Sequence, residues 1–218
     1  MSDDFAELRE RMVRRQIEAR GIHDPAILDA FREVPREAFV SPDYAAAAYD
    51  DHPLPIEAGQ TISQPYIVAL MIEAAGIKSG DKVLEVGAGS GYAAAVISRI
   101  ARDVVAIERQ HDLVQVAQGR LKRLGYDNVR LVEGDGTRGC PEEAPFDAIL
   151  AAASGSHVPP PLVAQLAPEG RLVMPVGEPG WVQKLVKVTK QEDGILQQSD
   201  LGEVRFVPLI GEEGWRDD

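Results

Sequence analysis

Lys82-Val83-Leu84-Glu85-Val86-Gly87-Ala88-Gly89-Ser90-Gly91-Tyr92 is the stretch on which the fold turns. Lys82 to Val86, rich in aliphatic and β-branched side chains, predicts a buried strand. Three alternate glycines follow, and the apolar run from Ala93 to Ala101 predicts a helix. Glycines let a backbone turn sharply and let a ligand approach closely, and a helix start adds N–H groups and partial positive charge. Strand, glycine turn and helix in that order open a ligand-binding α/β unit.

The same alternation continues downstream. Asp103 to Ile107, Asn128 to Val132, Phe146 to Ala151 and Arg171 to Pro175 read as strands. Helices are expected between them, with Leu113, Ala117, Leu121 and Leu124 on one face of the first and Pro159 to Ala167 as the last. Repeated βαβ units imply a parallel sheet. Val182 to Lys190 and Val204 to Leu209 then read as an antiparallel pair around Asp193-Gly194, a hairpin signal. Upstream, Phe5, Leu8 and Met12 sit at helical spacing before Gly21. Asp24-Pro25 starts a second helix that Pro35 stops, and a third runs from Pro65 to about Ala75.

The glycine spacing narrows the ligand. A dinucleotide fingerprint needs glycine where Tyr92 stands, and a phosphate-binding P-loop needs a lysine that is absent. The G-x-G-x-G form after an acidic-apolar strand resembles motif I of S-adenosylmethionine-dependent methyltransferases. That resemblance implies a Rossmann-like class I α/β fold, with a mostly parallel sheet, antiparallel C-terminal strands and an N-terminal helical extension. Gly87, Gly89 and Gly91 would cradle the cofactor, and Glu85 suits its cationic amino group. Glu108, about 20 residues after the loop, is placed for ribose hydroxyls. Asp135 in Gly134-Asp135-Gly136 is placed for the adenine amino group, with Gly136 giving backbone room. Glu108 could equally be a surface charge, and Gly134-Asp135-Gly136 an ordinary turn.

Composition bounds the rest. The 218 residues carry 35 acids against 23 bases, a formal net charge of -12. That balance argues against nucleic acid and against anionic membranes. One cysteine, Cys140, excludes an intramolecular disulfide framework, and four scattered histidines support no metal site. No apolar run reaches the ~18 residues of a membrane span, and the N-terminus lacks the apolar core of a secretory signal. A monomer in the cytoplasm is expected.

Acceptor chemistry is read from the residues after the fourth strand. Ala151-Ala152-Ala153-Ser154-Gly155-Ser156-His157 offers no Asn/Asp-Pro-Pro-aromatic motif of base-amine enzymes. Cys140-Pro141 reverses the Pro-Cys order of cytosine C5 enzymes, and no acidic pair would hold Mg²⁺. Around the glycine loop and Gly134-Asp135-Gly136, Pro35-Arg36-Glu37-Ala38-Phe39-Val40, Gly59-Gln60-Thr61-Ile62-Ser63-Gln64-Pro65, Ala144-Pro145-Phe146-Asp147-Ala148-Ile149, Met174-Pro175-Val176-Gly177 and Val204-Arg205-Phe206-Val207-Pro208-Leu209 occur in that order, the second and last being more specific than the glycine loop. Together they resemble the protein-L-isoaspartate (D-aspartate) O-methyltransferase family over nearly the whole chain.

The resemblance implies methyl transfer from S-adenosylmethionine to the free carboxylate of L-isoaspartyl and D-aspartyl residues in damaged proteins and peptides, leaving S-adenosylhomocysteine. It places Gln60, Thr61, Ile62 and Ser63 against the cofactor and makes the Ser63 hydroxyl the group that orients the acceptor carboxylate. Ser63 could instead cap the helix after Pro65. One domain is expected, with residues 1–75 as N-terminal helices and cap and 76–218 as the cofactor-binding core. The Ser154-Gly155-Ser156-His157 loop departs from the family's usual Ala-Pro step, which keeps a small-molecule O-methyltransferase open. A non-catalytic cofactor-binding module is the third reading.

Overall fold

In the computed structural model, residues 2–217 are described. Helix α1, Ser2–Met12, runs on through a π-helical turn at Val13–Ile17 and stops at Gly21, whose φ of 99° is left-handed. Helix α2, Pro25–Glu33, is capped as expected: the Asp24 carboxylate accepts from the Ala26 N–H at 2.8 Å. Two short strands, β1 (Leu54–Pro55) and β2 (Thr61–Ile62), pair antiparallel and lead into α3, Pro65–Ala75. Arg171 closes α3 by donating to the Ala75 and Gly76 carbonyls at 2.6 and 2.8 Å, a cation where the helix end is negative.

The alternating part follows in order: β3 (Lys82–Val86), α4 (Tyr92–Ser98), β4 (Asp103–Glu108), α5 (His111–Arg123), β5 (Val129–Glu133), β6 (Phe146–Ala151), α6 (Pro160–Ala164) and β7 (Leu166–Val176). Strands β8 (Gln183–Lys190) and β9 (Leu196–Val204) end the sheet. Its strand order is β5-β4-β3-β6-β7-β8-β9, parallel through β7 and antiparallel in β8 and β9. The expected α/β fold is present.

Alternate side chains of the central strands feed two apolar clusters. Val83, Val104, Ala106 and Ala148 join Met12, Phe31, Ile72 and Ile97 from α1 to α4 on one face. Leu84, Val86, Val105 and Ile149 join Phe146, Leu162 and Leu172 on the other. Period-two alternation explains the division. The N-terminal helices therefore share a core with the sheet.

Several boundaries differ from the sequence reading: α4 ends at Ser98 rather than Ala101, and β7 begins at Leu166 rather than Arg171. The last helix ends at Ala164, not Ala167, because Leu166 already pairs with Phe146. Residues 167–170 then bulge out before Arg171 pairs with Ala148. The second hairpin strand is Leu196–Val204 rather than Val204 to Leu209. Leu196–Val204 lacks apolar alternation because it is the sheet edge, exposed along most of its length. Beyond Val204 the Phe206 N–H is taken by the Gln183 side chain at 2.8 Å, and Pro208 has no N–H to give. That segment instead meets Ser154, through Ser154 N–H to Val207 O and Leu209 N–H to Ser154 O, each 2.8 Å.

Candidate functional site

Strand order reverses between β3 and β6, since β4 lies on one side of β3 and β6 on the other. Open α/β sheets bind ligands outside the carboxyl ends of the strands at such a point. A cavity of about 1030 Å³ opens there. It is lined by Val86 and Gly87 at the end of β3, Ile107 and Glu108 at the end of β4, and Leu150, Ala152 and Ala153 at the end of β6. The Gln60–Gln64 segment and residues 203–210 supply further wall. Among the described residues, none before Pro53 lines it, so α1 and α2 support the cavity from behind.

The glycine loop is closed on itself. The Gly87 and Ala88 N–H groups both donate to Ile107 O, at 2.9 and 3.0 Å. Gly89 N–H donates to the Glu108 carboxylate at 2.9 Å, and Gly91 N–H to Ala88 O at 2.8 Å. A phosphate cradle needs such N–H groups aimed at the ligand. Here they are taken up by the chain, which suits a ligand without phosphate. Gly91, with φ of 87°, sits behind the loop, where a Cβ would lie 3.4 Å from Ala117 and Leu121. It shapes the turn without lining the cavity.

Glu85 lines the cavity from β3 and is 1% exposed. Burial, and then the nearby Glu108 charge, hold its carboxyl well above the usual range, and its Oε2 has no hydrogen-bond partner. A buried carboxyl oxygen without a donor is costly, and a cationic donor in the cavity would satisfy it. Glu108 is no loose surface charge. It is 7% exposed, and its two oxygens accept from Gly89 N–H and Gln110 N–H, each at 2.9 Å.

Asp135 is placed differently from its neighbours. One carboxylate oxygen accepts from the Thr137 N–H and hydroxyl at 2.9 and 2.7 Å, and the other from Glu212 N–H at 2.8 Å. Burial opposes its ionisation, but those bonds win and hold its carboxyl below the usual range. Its side chain ties the C-terminal turn down, and only Gly136 of that triplet is part of the cavity wall. A Cβ on Gly136 would lie 2.6 Å from Val86 Cγ1, so the backbone needs this glycine to pass.

Gln60, Thr61, Ile62 and Ser63 all line the cavity. Ser63 is no helix cap: the residue at the start of α3 is Gln64, and no side chain caps it. That alternative falls. Ser63 is held by its backbone, whose carbonyl accepts from Arg36 Nη2 at 2.8 Å. Arg36, wholly buried, also donates from Nε to Ala48 O at 2.8 Å and stacks 4.8 Å from the Tyr92 ring centroid. Sequence reasoning used Arg36 only as part of a motif. Arg32, Glu33 and Glu37 stand in the same stretch, so nothing local marked Arg36 as the buried one.

Comparisons with known proteins identify the family. The model of the protein-L-isoaspartate(D-aspartate) O-methyltransferase family matches residues 7–214. The protein-L-isoaspartate O-methyltransferase 2 of Pelobacter propionicus is 55% identical over 207 residues, covering 95% of this chain and 92% of that one. A solved protein-L-isoaspartate O-methyltransferase superposes with a TM-score of 0.86 at 33% identity, covering 94% of this chain and 67% of the other. A Plasmodium falciparum structure named for the same activity, in complex with S-adenosyl-L-homocysteine, gives a TM-score of 0.80 at 28% identity. It covers 93% of this chain and 98% of that one. By sequence and by fold, the chain belongs to the protein-L-isoaspartate(D-aspartate) O-methyltransferase family.

Proposed function

We propose that this enzyme transfers a methyl group from S-adenosylmethionine to the free carboxylate of L-isoaspartyl, and D-aspartyl, residues in damaged proteins and peptides. The observation that carries it is the pairing of a self-satisfied glycine loop with the buried, partnerless Glu85 oxygen in one cavity with Ser63.

The residues present fit the cofactor. Glu85 would hold its amino group, Glu108 its ribose, and Gly87, Gly89 and Gly136 would give room for close backbone approach. Gln60, Thr61 and Ile62 would bound it on the other side. When bound, the cofactor supplies an activated methyl group on a sulfonium. Ser63 orients the acceptor carboxylate through its hydroxyl. A carboxylate is already a nucleophile at neutral pH, so no strong general base is needed. The chain's task is alignment and exclusion of water, at ~3–3.5 Å between reacting atoms. Asp135 acts in this reading by holding the Gly134–Gly136 turn, with the adenine end close by.

The acidity of the chain does not defeat an anionic acceptor. Of its described acids only Glu85, Glu108, Glu203 and Asp217 line the cavity, beside Arg205 and Arg109, the latter paired with Asp217. We read the N-terminal helices and the sheet as one domain, supported by their common apolar cluster. A monomer is consistent with the charged, bulged edge strand β9, which discourages strand-to-strand association. No helix among the described residues is long and apolar enough to cross a membrane.

The test is transfer of labelled methyl to an isoaspartyl peptide beside its normal aspartyl twin. Labelling of the first alone is expected. Labelling of neither, with cofactor still bound, would sink the reading.

A further inference from the structure

Trp181 is 72% exposed, more than any other large apolar side chain described. Its two neighbours, Gly180 and Val182, both line the cavity, so Trp181 stands on the lip. Val182 is itself 45% exposed. The turn that carries them is built rather than loose. Gly177 N–H donates to Gly155 O at 2.9 Å, and a Cβ at Gly177 would lie 3.1 Å from Gln183. Gln183 is 1% exposed. It donates to Glu178 O at 3.2 Å on one side and accepts from Phe206 N–H at 2.8 Å on the other. One buried amide thus locks the Trp181 turn to the cavity wall at Phe206.

The substrate explains why an indole should be left in water there. An isoaspartyl carboxylate belongs to a residue within a polypeptide, and that polypeptide must enter and leave by the cavity mouth. The residues flanking the lesion then pass over the lip. The charged residues lining or flanking that lip are of mixed sign, Glu178, Glu203 and Arg205, and favour neither kind of charged neighbour. The apolar pair is the discriminating surface. Tryptophan supplies a large, rigid contact area at small entropic cost.

We propose that Trp181, with Val182, docks an apolar or aromatic side chain next to the isoaspartyl residue of the substrate. The proposal rests on the methyltransferase reading above and adds a preference among its substrates. Isoaspartyl peptides differing only in Phe or Gly on either side of the lesion test it, with wild type, Trp181→Ala and Trp181→Phe. The Phe peptide should have the lower KM on wild type. Trp181→Ala should raise that KM about five- to tenfold, with kcat and the Gly peptide unmoved, and Trp181→Phe should restore most of it. Emission from Trp181 should shift with the Phe peptide, with Trp181→Ala reporting the Trp215 background. Equal KM changes on both peptides would overturn the proposal. So would a peptide preference unmoved by Trp181→Ala. Wild type that methylates neither peptide would sink the activity itself, and the fluorescence titration would still decide the docking surface.

Discussion

Arg36 Nη2 donates to the carbonyl oxygen of Ser63 at 2.8 Å, across 27 residues of chain. The same guanidinium reaches Ala48 O and lies against Tyr92, the first residue of α4 after the glycine loop. A single buried cation therefore sets the acceptor-side segment against the cofactor-side helix. Arg36→Met leaves the buried Ala48 carbonyl and the half-buried Ser63 carbonyl without this donor and should cost about 2–5 kcal/mol. Urea unfolding checks this. Arg36→Lys keeps the charge but loses the fork that serves both carbonyls, and should lose turnover while losing less stability. A Met variant as stable as wild type would contradict the assignment.

Ser63→Ala should lower kcat about tenfold or more by freeing the acceptor carboxylate, since misplacement of a reacting group is costly. Affinity for S-adenosylhomocysteine should stay within about twofold, because the backbone grip of Arg36 remains. Unchanged kinetics on an isoaspartyl peptide would remove Ser63 from the reaction.

Glu85 should give the enzyme a pH signature. Burial raises its carboxyl well above the usual range, so the folded chain keeps a proton that the unfolded chain releases. Its contribution therefore lowers stability as pH rises from the ordinary carboxylate range to the raised value. Glu85→Gln should unfold at a higher temperature than wild type at pH 8 without cofactor, with no gain at pH 4. The same variant should bind S-adenosylmethionine about 10- to 100-fold more weakly, the loss of one bond to a charged group. Calorimetry on wild type should register proton release on binding. A variant that binds as tightly as wild type would detach Glu85 from the cofactor.

Gly136→Ala should destabilise by about 1–3 kcal/mol through overpacking against Val86. Its Cβ would meet Val86 Cγ1 at 2.6 Å, within the cavity wall, so cofactor affinity should fall with stability. Thermal shift with and without S-adenosylhomocysteine measures both.

The parts of this molecule that sequence made legible are those with strong local chemistry. The strand before Gly87, the Asp24 cap and the turn at Asp193-Gly194 need no distant partner to be read. Edge strand β9 was hidden because solvent on both faces removes the alternation that marks a strand. The site divides in the same way. Glu85, Glu108, Ser63 and the loop glycines Gly87 and Gly89 come together as expected. The ties of Asp135 to Glu212 and of Arg36 to Ser63 are long-range, and no spacing within the chain announces them.

The closed glycine loop has a consequence for turnover. An enzyme of this kind must release one cofactor form and admit another in every cycle. A loop whose amides answered only to a ligand would lose its partners at each exchange and have to find them again. Here Ile107, Glu108 and Ala88 keep those partners inside the chain. A loop held in this way keeps its hydrogen bonds without help from a ligand.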